Sequence, residues 1–317
     1  MKIEDIQKIG VIVGGTMGAG IAQCFAQHGY SVWIIDREQA ILDKCLDMVR
    51  DSLRLFAEFD LLQEEPSSII LRIKPVASQD MREVLKDCNF VIECIPEILA
   101  LKRELFSRLD SLNPDIIISS NTSTFTISSI TAGLRTSSRV VGTHFFFPPQ
   151  IIPLVEVHRG QTTTDEVVEV TRQLMLRAGK KPILLKKEVQ GFVVNRIQAA
   201  IGREANYLIE QGVVTPEDFD LAARASYGFR LANVGPLAQA DLNGLDTKAR
   251  SDELNYKEIC SSTELSQAFV EKVKRGELGL KSGKGYYDYS GKSKTQIIND
   301  VERNLLKQLV LFKQMEG

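Results

Sequence analysis

The chain has 317 residues, 44% of them hydrophobic and 25% charged, with a formal net charge of -2. That length exceeds one ordinary core and predicts two domains, and the near-neutral balance gives no electrostatic reason to expect nucleic acid or an anionic membrane as partner. Five cysteines without a C-x-x-C pair suit reduced thiols, no apolar window reaches membrane-spanning length, and the first residues are acidic where a signal peptide is apolar, so a cytoplasmic location without a membrane anchor is expected.

Lys8 to Val13 reads as an apolar strand that runs into Gly14-Gly-Thr-Met-Gly-Ala-Gly20. A helical pattern from Ile21 to His28 stops at Gly29, and a second strand, Tyr30 to Asp36, ends in an acid. This is the order of a dinucleotide-binding unit. Across Gly14, Gly15, Thr16, Met17 and Gly18 the backbone can approach a pyrophosphate at a helix N-terminus, while Asp36 accepts the ribose hydroxyls. A carboxylate there disfavours a 2′-phosphate, so NAD is the expected cofactor. One position departs from G-x-G-x-x-G: its first glycine is Val13. Gly14 is expected to take over the tight turn, and NADH binding is expected to survive the change.

Arg37 to Glu65 is helical in pattern, and its Lys44, Arg50 and Arg54 mark either a solvated helical hairpin, the default, or a surface for an anionic ligand. Ile73 to Ala77 and Cys88 to Glu93 read as strands, and a helix follows Pro96 as far as Leu109. Asp115 to Ser119 is fully apolar, hence a central strand with both faces covered. Its carboxyl end carries Ser119-Ser-Asn-Thr-Ser-Thr124, which places hydroxyls and Asn121 where open α/β sheets bind ligands.

Val140 to Phe147 reads as a buried strand that carries a lone histidine, His144. Pro148, Pro149 and Pro153 stiffen the connection, and Leu154-Val-Glu-Val157 re-enters the fold so that Glu156 can orient the imidazole. A core histidine beside a solvated glutamate is the plainer alternative. A capped helix from Thr162 to Ala178 and a closing strand, Lys181 to Leu185, complete the first domain. The polar stretch Lys186 to Gly191 marks a boundary, giving domains 1–187 and 188–317. Beyond it the pattern is helical, with a long helix over Phe192–Gln211 and another that starts at Thr215-Pro216. Asn195 stands among apolar neighbours, either as a satisfied buried amide or as one directed at a ligand.

These stretches resemble the L-3-hydroxyacyl-CoA dehydrogenase family, in particular its 3-hydroxybutyryl-CoA dehydrogenase and λ-crystallin-like branch. The matching pieces are Gly15-Thr-Met-Gly-Ala-Gly-Ile-Ala22 with Asp36, Phe90-Val-Ile-Glu93 with Pro96-Glu97, Ser120-Asn-Thr-Ser123, and Gly142-Thr-His-Phe-Phe146 with Leu154-Val-Glu-Val157. Gly191-Phe-Val-Val-Asn-Arg196, Gly235-Pro236 with Asp241 and Gly244-Leu-Asp246, and Lys281 to Tyr289 continue the family order through the second half. The resemblance implies an α/β Rossmann-type doubly wound N-terminal domain and an all-α C-terminal domain that forms a homodimer. By the same resemblance His144 is the catalytic base and Glu156 its partner, Ser123 and Asn195 contact the substrate oxygen, and Glu97, Lys102 and Lys281 line the cofactor. No metal is implied.

The activity implied is reversible NAD-dependent oxidation of a short 3-hydroxyacyl-CoA, as in fatty acid metabolism. Two departures concern the substrate. Phe147 replaces the family's usual asparagine, and residues 50–75 lack a firm match to its CoA-contacting positions. Pro149 to Glu156 and Lys187 to Phe192 instead look like relatives that act on free hydroxy acids of the gulonate, carnitine or pyridine-carboxylate type. A dehydrogenase of a free 3-hydroxy carboxylate is therefore the second reading, and a non-catalytic, crystallin-like NADH binder the third.

Overall fold

The structure, a computed structural model, describes residues 2–111 and 115–316. Met1 and Gly317, the outermost positions of the two expected domains, lie outside them. The chain forms two compact units, one of residues up to Val193 together with those from Asp300 on, the other Val194–Asn299.

The first unit is built on one eight-stranded sheet. Its strands are β1 (Lys8–Ile12), β2 (Ser31–Asp36), β3 (Ile73–Ala77), β4 (Phe90–Glu93), β5 (Ile117–Ser120), β6 (Val140–Phe145), β7 (Leu154–Arg159) and β8 (Lys181–Leu185). They lie in the order β3-β2-β1-β4-β5-β6-β7-β8. All pairs from β3 across to β6 are parallel, β7 runs antiparallel to β6, and β8 is parallel to β7. Parallel neighbours need crossovers, supplied by α1 (Thr16–Ala26), α2 (Gln39–Glu58), α3 (Pro66–Ile70), α4 (Met81–Leu85), α5 (Leu99–Leu109) and α6 (Ile127–Ile130). A seventh helix, α7 (Asp165–Arg177), starts on Thr164, whose side chain accepts the N–H of Val167.

Helices on both faces explain why β4, β5 and β6 are buried along their whole length. One core joins β1 and β6 to α1, α2 and α7 through Phe25, Leu42, Leu53, Phe145 and Leu174. The other packs Leu85, Phe106, Ile118 and Ile130 together.

The second unit is helical: α8 (Val194–Glu210), α9 (Pro216–Ala225), α10 (Tyr227–Leu231), α11 (Pro236–Asn243), α12 (Leu245–Asn255) and α13 (Gln267–Lys274). Thr215 caps α9 as its sequence predicts. No residue of these six helices is buried. The last helix, α14 (Lys294–Glu316), begins in this unit, and from Asp300 it belongs to the first. There Leu306 and Leu309 form a third small core with Phe56 and Ile151.

Three local expectations are corrected. The strand that carries His144 ends at Phe145, leaving Phe147 exposed and joined to Pro148 by a cis peptide. Phe192 and Val193 precede the helix instead of opening it, because Phe192 takes a φ of +53°. The tight turn after β1 also falls on Val13 itself, at a φ of +84°, and not on Gly14. Val13 still donates its N–H to Ile35 O (2.7 Å), so the backbone must turn there. A Cβ on Gly18 would run into the Val13 carbonyl, which keeps α1 close to the strand.

A β-branched residue held at positive φ is a local strain. Val13→Gly is expected to stabilise the protein by about 1 kcal/mol, the relief being partly offset by the greater freedom of glycine in the unfolded chain. A urea midpoint that fell would contradict this.

Candidate active site

The turn that follows β1 meets the requirements of a dinucleotide. Gly15 opens α1 in extended conformation, and Thr16 and Met17 form the first turn. Asp36 closes β2, is buried, and accepts the N–H groups of Gly14 (3.0 Å), Arg37 (2.7 Å) and Glu38 (3.2 Å). An acceptor beside a helix N-terminus with a closely approached glycine backbone suits the adenosine ribose and pyrophosphate of NAD.

Next along the sheet, β4 and β5 hold a charged cluster. Lys102 of α5, 1% exposed, donates to Glu93 (2.7 Å) and lies 3.2 Å from Glu97. Burial raises the Glu93 carboxyl, an effect only partly offset by the Lys102 ammonium and by hydrogen bonds from Ser120 and Ile95. Burial also pushes Glu97 upward, but hydrogen bonds from Thr122 and Thr124 and the charge of Lys102 outweigh it and hold this carboxyl below its ordinary value. Glu97 accepts the Thr122 hydroxyl (2.5 Å) and the N–H groups of Ser123 (3.2 Å) and Thr124 (2.9 Å). One carboxylate thus shapes the loop that presents Ser123. Asn121 holds the end of β6 by accepting the Phe145 N–H (2.9 Å).

His144 and Glu156 are directly opposed across the antiparallel β6–β7 pair, so their side chains share a face. His144 Nδ1 lies 2.7 Å from Glu156 Oε2, and both side chains are buried. A carboxylate accepts only, so this contact puts the proton on Nδ1 and makes Nε2 the acceptor. The second carboxylate oxygen, Oε1, accepts the Val193 N–H (2.9 Å).

Sequence reasoning missed the support around this pair. Phe192 is fully buried and packs against His144 (ring centroids 5.4 Å apart) and against His158 (4.1 Å). Its positive φ is what turns Val193 toward Glu156. His158 follows Glu156 by two positions on the same strand face and sits opposite Gly142, where a Cβ would occupy the space of its ring. The signal lay in that pairing of a strand glycine with a large residue, but it needs the register to be seen. Both ring nitrogens of His158 are buried without a hydrogen-bond partner. Burial, with the neighbouring His144, pushes its pKa down to about 3. Asn195 lies in the first turn of α8, and Lys281 in the turn between Gly279 and Lys284, both in the second unit.

A parallel sheet with a dinucleotide turn at one strand end, and a carboxylate-oriented imidazole three strands away, defines an NAD-dependent oxidoreductase. Residues 8–189 match the NAD binding domain of 3-hydroxyacyl-CoA dehydrogenase and residues 191–289 its C-terminal domain, so the chain belongs to the 3-hydroxyacyl-CoA dehydrogenase family. It is similar to 5-formyl-3-hydroxy-2-methylpyridine 4-carboxylate 5-dehydrogenase of Mesorhizobium japonicum, with 32% identity over 90% of this chain and 91% of that protein. A solved structure of a dehydrogenase for the same pyridine carboxylic acid superposes with a TM-score of 0.90 at 29% identity, over 97% of this chain and 99% of that one. The (S)-3-hydroxybutyryl-CoA dehydrogenase of Ralstonia eutropha gives 0.73 at 35% identity, over 90% and 99%.

The pKa of His158 has a consequence for stability. The folded state keeps this ring neutral down to about pH 3, whereas an unfolded chain protonates it near 6.5. Between those values the unfolded state binds more protons, so stability falls as pH falls, by at most ~1.4 kcal/mol per pH unit from this group. Denaturant titrations of His158→Leu at pH 7, 6 and 5 are expected to show a shallower decline than wild type. Identical slopes would remove the assignment.

Proposed function

We propose that this chain catalyses the reversible NAD-dependent oxidation of the secondary hydroxyl of a small, free 3-hydroxy carboxylate. The observation that supports the free acid over a CoA ester is the charge state of residues 50–75. This segment has four cations and five carboxylates. Arg50 pairs with Asp47, Arg54 with Asp51 and Arg72 with Glu64, while Lys74 lies over the Trp33 ring. Each arginine of the segment has a carboxylate beside it and the carboxylates outnumber the cations by one, a balance that does not favour the phosphates of coenzyme A. Residues from Asp300 on also lie against this segment, with Arg303 paired to Glu58.

In this reading NAD+ serves as the hydride acceptor, held by the turn from Gly14 to Gly18 with Asp36, and by Glu97, Lys102, Asn121 and Lys281. His144 Nε2 takes the hydroxyl proton, and Glu156 stabilises the imidazolium that forms and holds its tautomer. Ser123 and Asn195, in the roles the resemblance gives them, donate to the oxygen as it changes between alcohol and carbonyl. A short 3-hydroxyacyl-CoA is the second reading, favoured by the Ralstonia relative and by the run Gly279 to Tyr287, which looks like the corresponding run of the hydroxybutyryl-CoA enzymes. The helical unit is proposed to dimerise. Phe229, Leu237 and Leu242 are 72%, 82% and 74% exposed, too much apolar surface for a helical unit with no buried helix residue.

Oxidation of NADH with free 3-oxo acids and, in parallel, with acetoacetyl-CoA tests the substrate. Turnover with a free acid is expected, and turnover confined to the thioester would move the protein to the second reading. His144→Gln is expected to lose at least ~100-fold in kcat while still binding NADH; near-normal turnover would sink the mechanism. Light scattering at micromolar concentration is expected to give twice the 35.4 kDa chain mass, and a monomer would rule out the dimer.

A further inference from the structure

Away from the candidate active site, a groove of about 120 Å³ opens in the first unit among α1, α2, the turn after β6, the start of β8 and α14. Its floor is Lys180, 5% exposed. The Lys180 ammonium donates to Pro149 O (2.5 Å) and Ile152 O (3.0 Å). Those carbonyls are dipoles and not charges, and the Lys180 ammonium has no carboxylate partner among the described residues. His28 and Lys313 stand at the same groove. His28 Nδ1 is 2.7 Å from Cys24 O, so Nδ1 carries the proton and Nε2 is the acceptor, and a Cβ on Gly179 would sit 2.6 Å from Nε2, so the ring rests against the residue before Lys180. Burial and the charges of Lys313 and Lys180 hold the His28 imidazole below its ordinary value, and partial burial with Lys180 does the same to Lys313. No Asp or Glu is among the described residues that line the groove, which are otherwise apolar, thiol or amide in character.

Two ammonium groups, Lys180 and Lys313, that meet at the groove without a counter-charge among the described residues repel one another and call for an anion. We propose that this groove is a binding site for one small oxyanion of phosphate size, held by Lys180 and Lys313, with His28 Nε2 accepting the hydroxyl of a hydrogen phosphate. A volume of about 120 Å³ admits one such ion and no nucleotide. Its occupation would be felt by the turn that joins the strands of His144 and Glu156, because Lys180 is tied to that turn at Pro149 and Ile152. The proposal is independent of the substrate reading above.

Inorganic phosphate titrated into the full chain at constant ionic strength tests it, with saturating NADH present so that the dinucleotide turn does not take up the phosphate. A saturable rise in Tm is expected for wild type. Lys313→Ala and His28→Ala together are expected to weaken the apparent affinity at least about tenfold, with unchanged melting in chloride and unchanged turnover in phosphate-free buffer. Lys180→Met is expected to abolish the response. If wild type shows no saturable rise, or if the double variant responds with wild-type affinity, the site does not exist.

Discussion

The register between β6 and β7 is the constraint on which the catalytic half of the molecule depends. Glu156 meets His144 because the two residues are paired across the antiparallel β6–β7 step of the sheet, and a slip of one residue would send the carboxylate to the opposite face. The register is held from several sides. Asn121 ties down the end of β6, Lys180 clamps the connecting turn, and His158 fills the space above Gly142 two pairs further along. Val193 then uses the second oxygen of Glu156, so the carboxylate has two directional partners and little freedom to rotate.

Buried charge is organised by the same logic in the neighbouring strands. Glu93 is completely buried, and such a carboxylate is tolerated only with full hydrogen bonding and a nearby cation. Ser120, the Ile95 N–H and Lys102 supply these. Lys102 in turn approaches Glu97, and Glu97 orders the Thr122–Thr124 backbone. A chain of polar contacts therefore runs from the middle of the sheet to the loop of Ser123. His158, like Gln23 and Thr171, departs from this rule: its two buried nitrogens are unsatisfied, and it lies within the ring stack that supports the imidazole.

Much of this was legible in the residues because periodicity and punctuation carry local structure. The glycine turn, the acid at Asp36, the apolar run of β5 and the caps at Thr164 and Thr215 each state a backbone requirement within a few positions. The pairing of His144 with Glu156 was also accessible, since two short β-rich runs joined by a proline-stiffened link offer few alternatives. What could not be read was set by contacts distant in sequence. Glu93 looks like the last residue of a strand until Lys102 is folded over it, and His158 looks like an ordinary strand residue until Gly142 is placed opposite. Phe192 looked like the first residue of a helix because its neighbours are apolar. Its left-handed backbone follows from packing between two imidazoles, which no local propensity encodes. Val13 is a similar case: Gly14 beside it is free of a Cβ, yet the positive φ falls on the valine.

The return of α14 to the first unit makes that unit discontinuous in the chain. Phe56 and Ile151 lie in the part synthesised early, while Leu306 and Leu309, which cover them, come about 150 residues or more later. During synthesis the sheet and its two larger cores can assemble first, but this apolar patch stays bare until the chain beyond Asp300 has emerged. The final step of folding for the first unit is thus placed after the whole helical unit has been made, so the two halves cannot mature as independent modules on the ribosome.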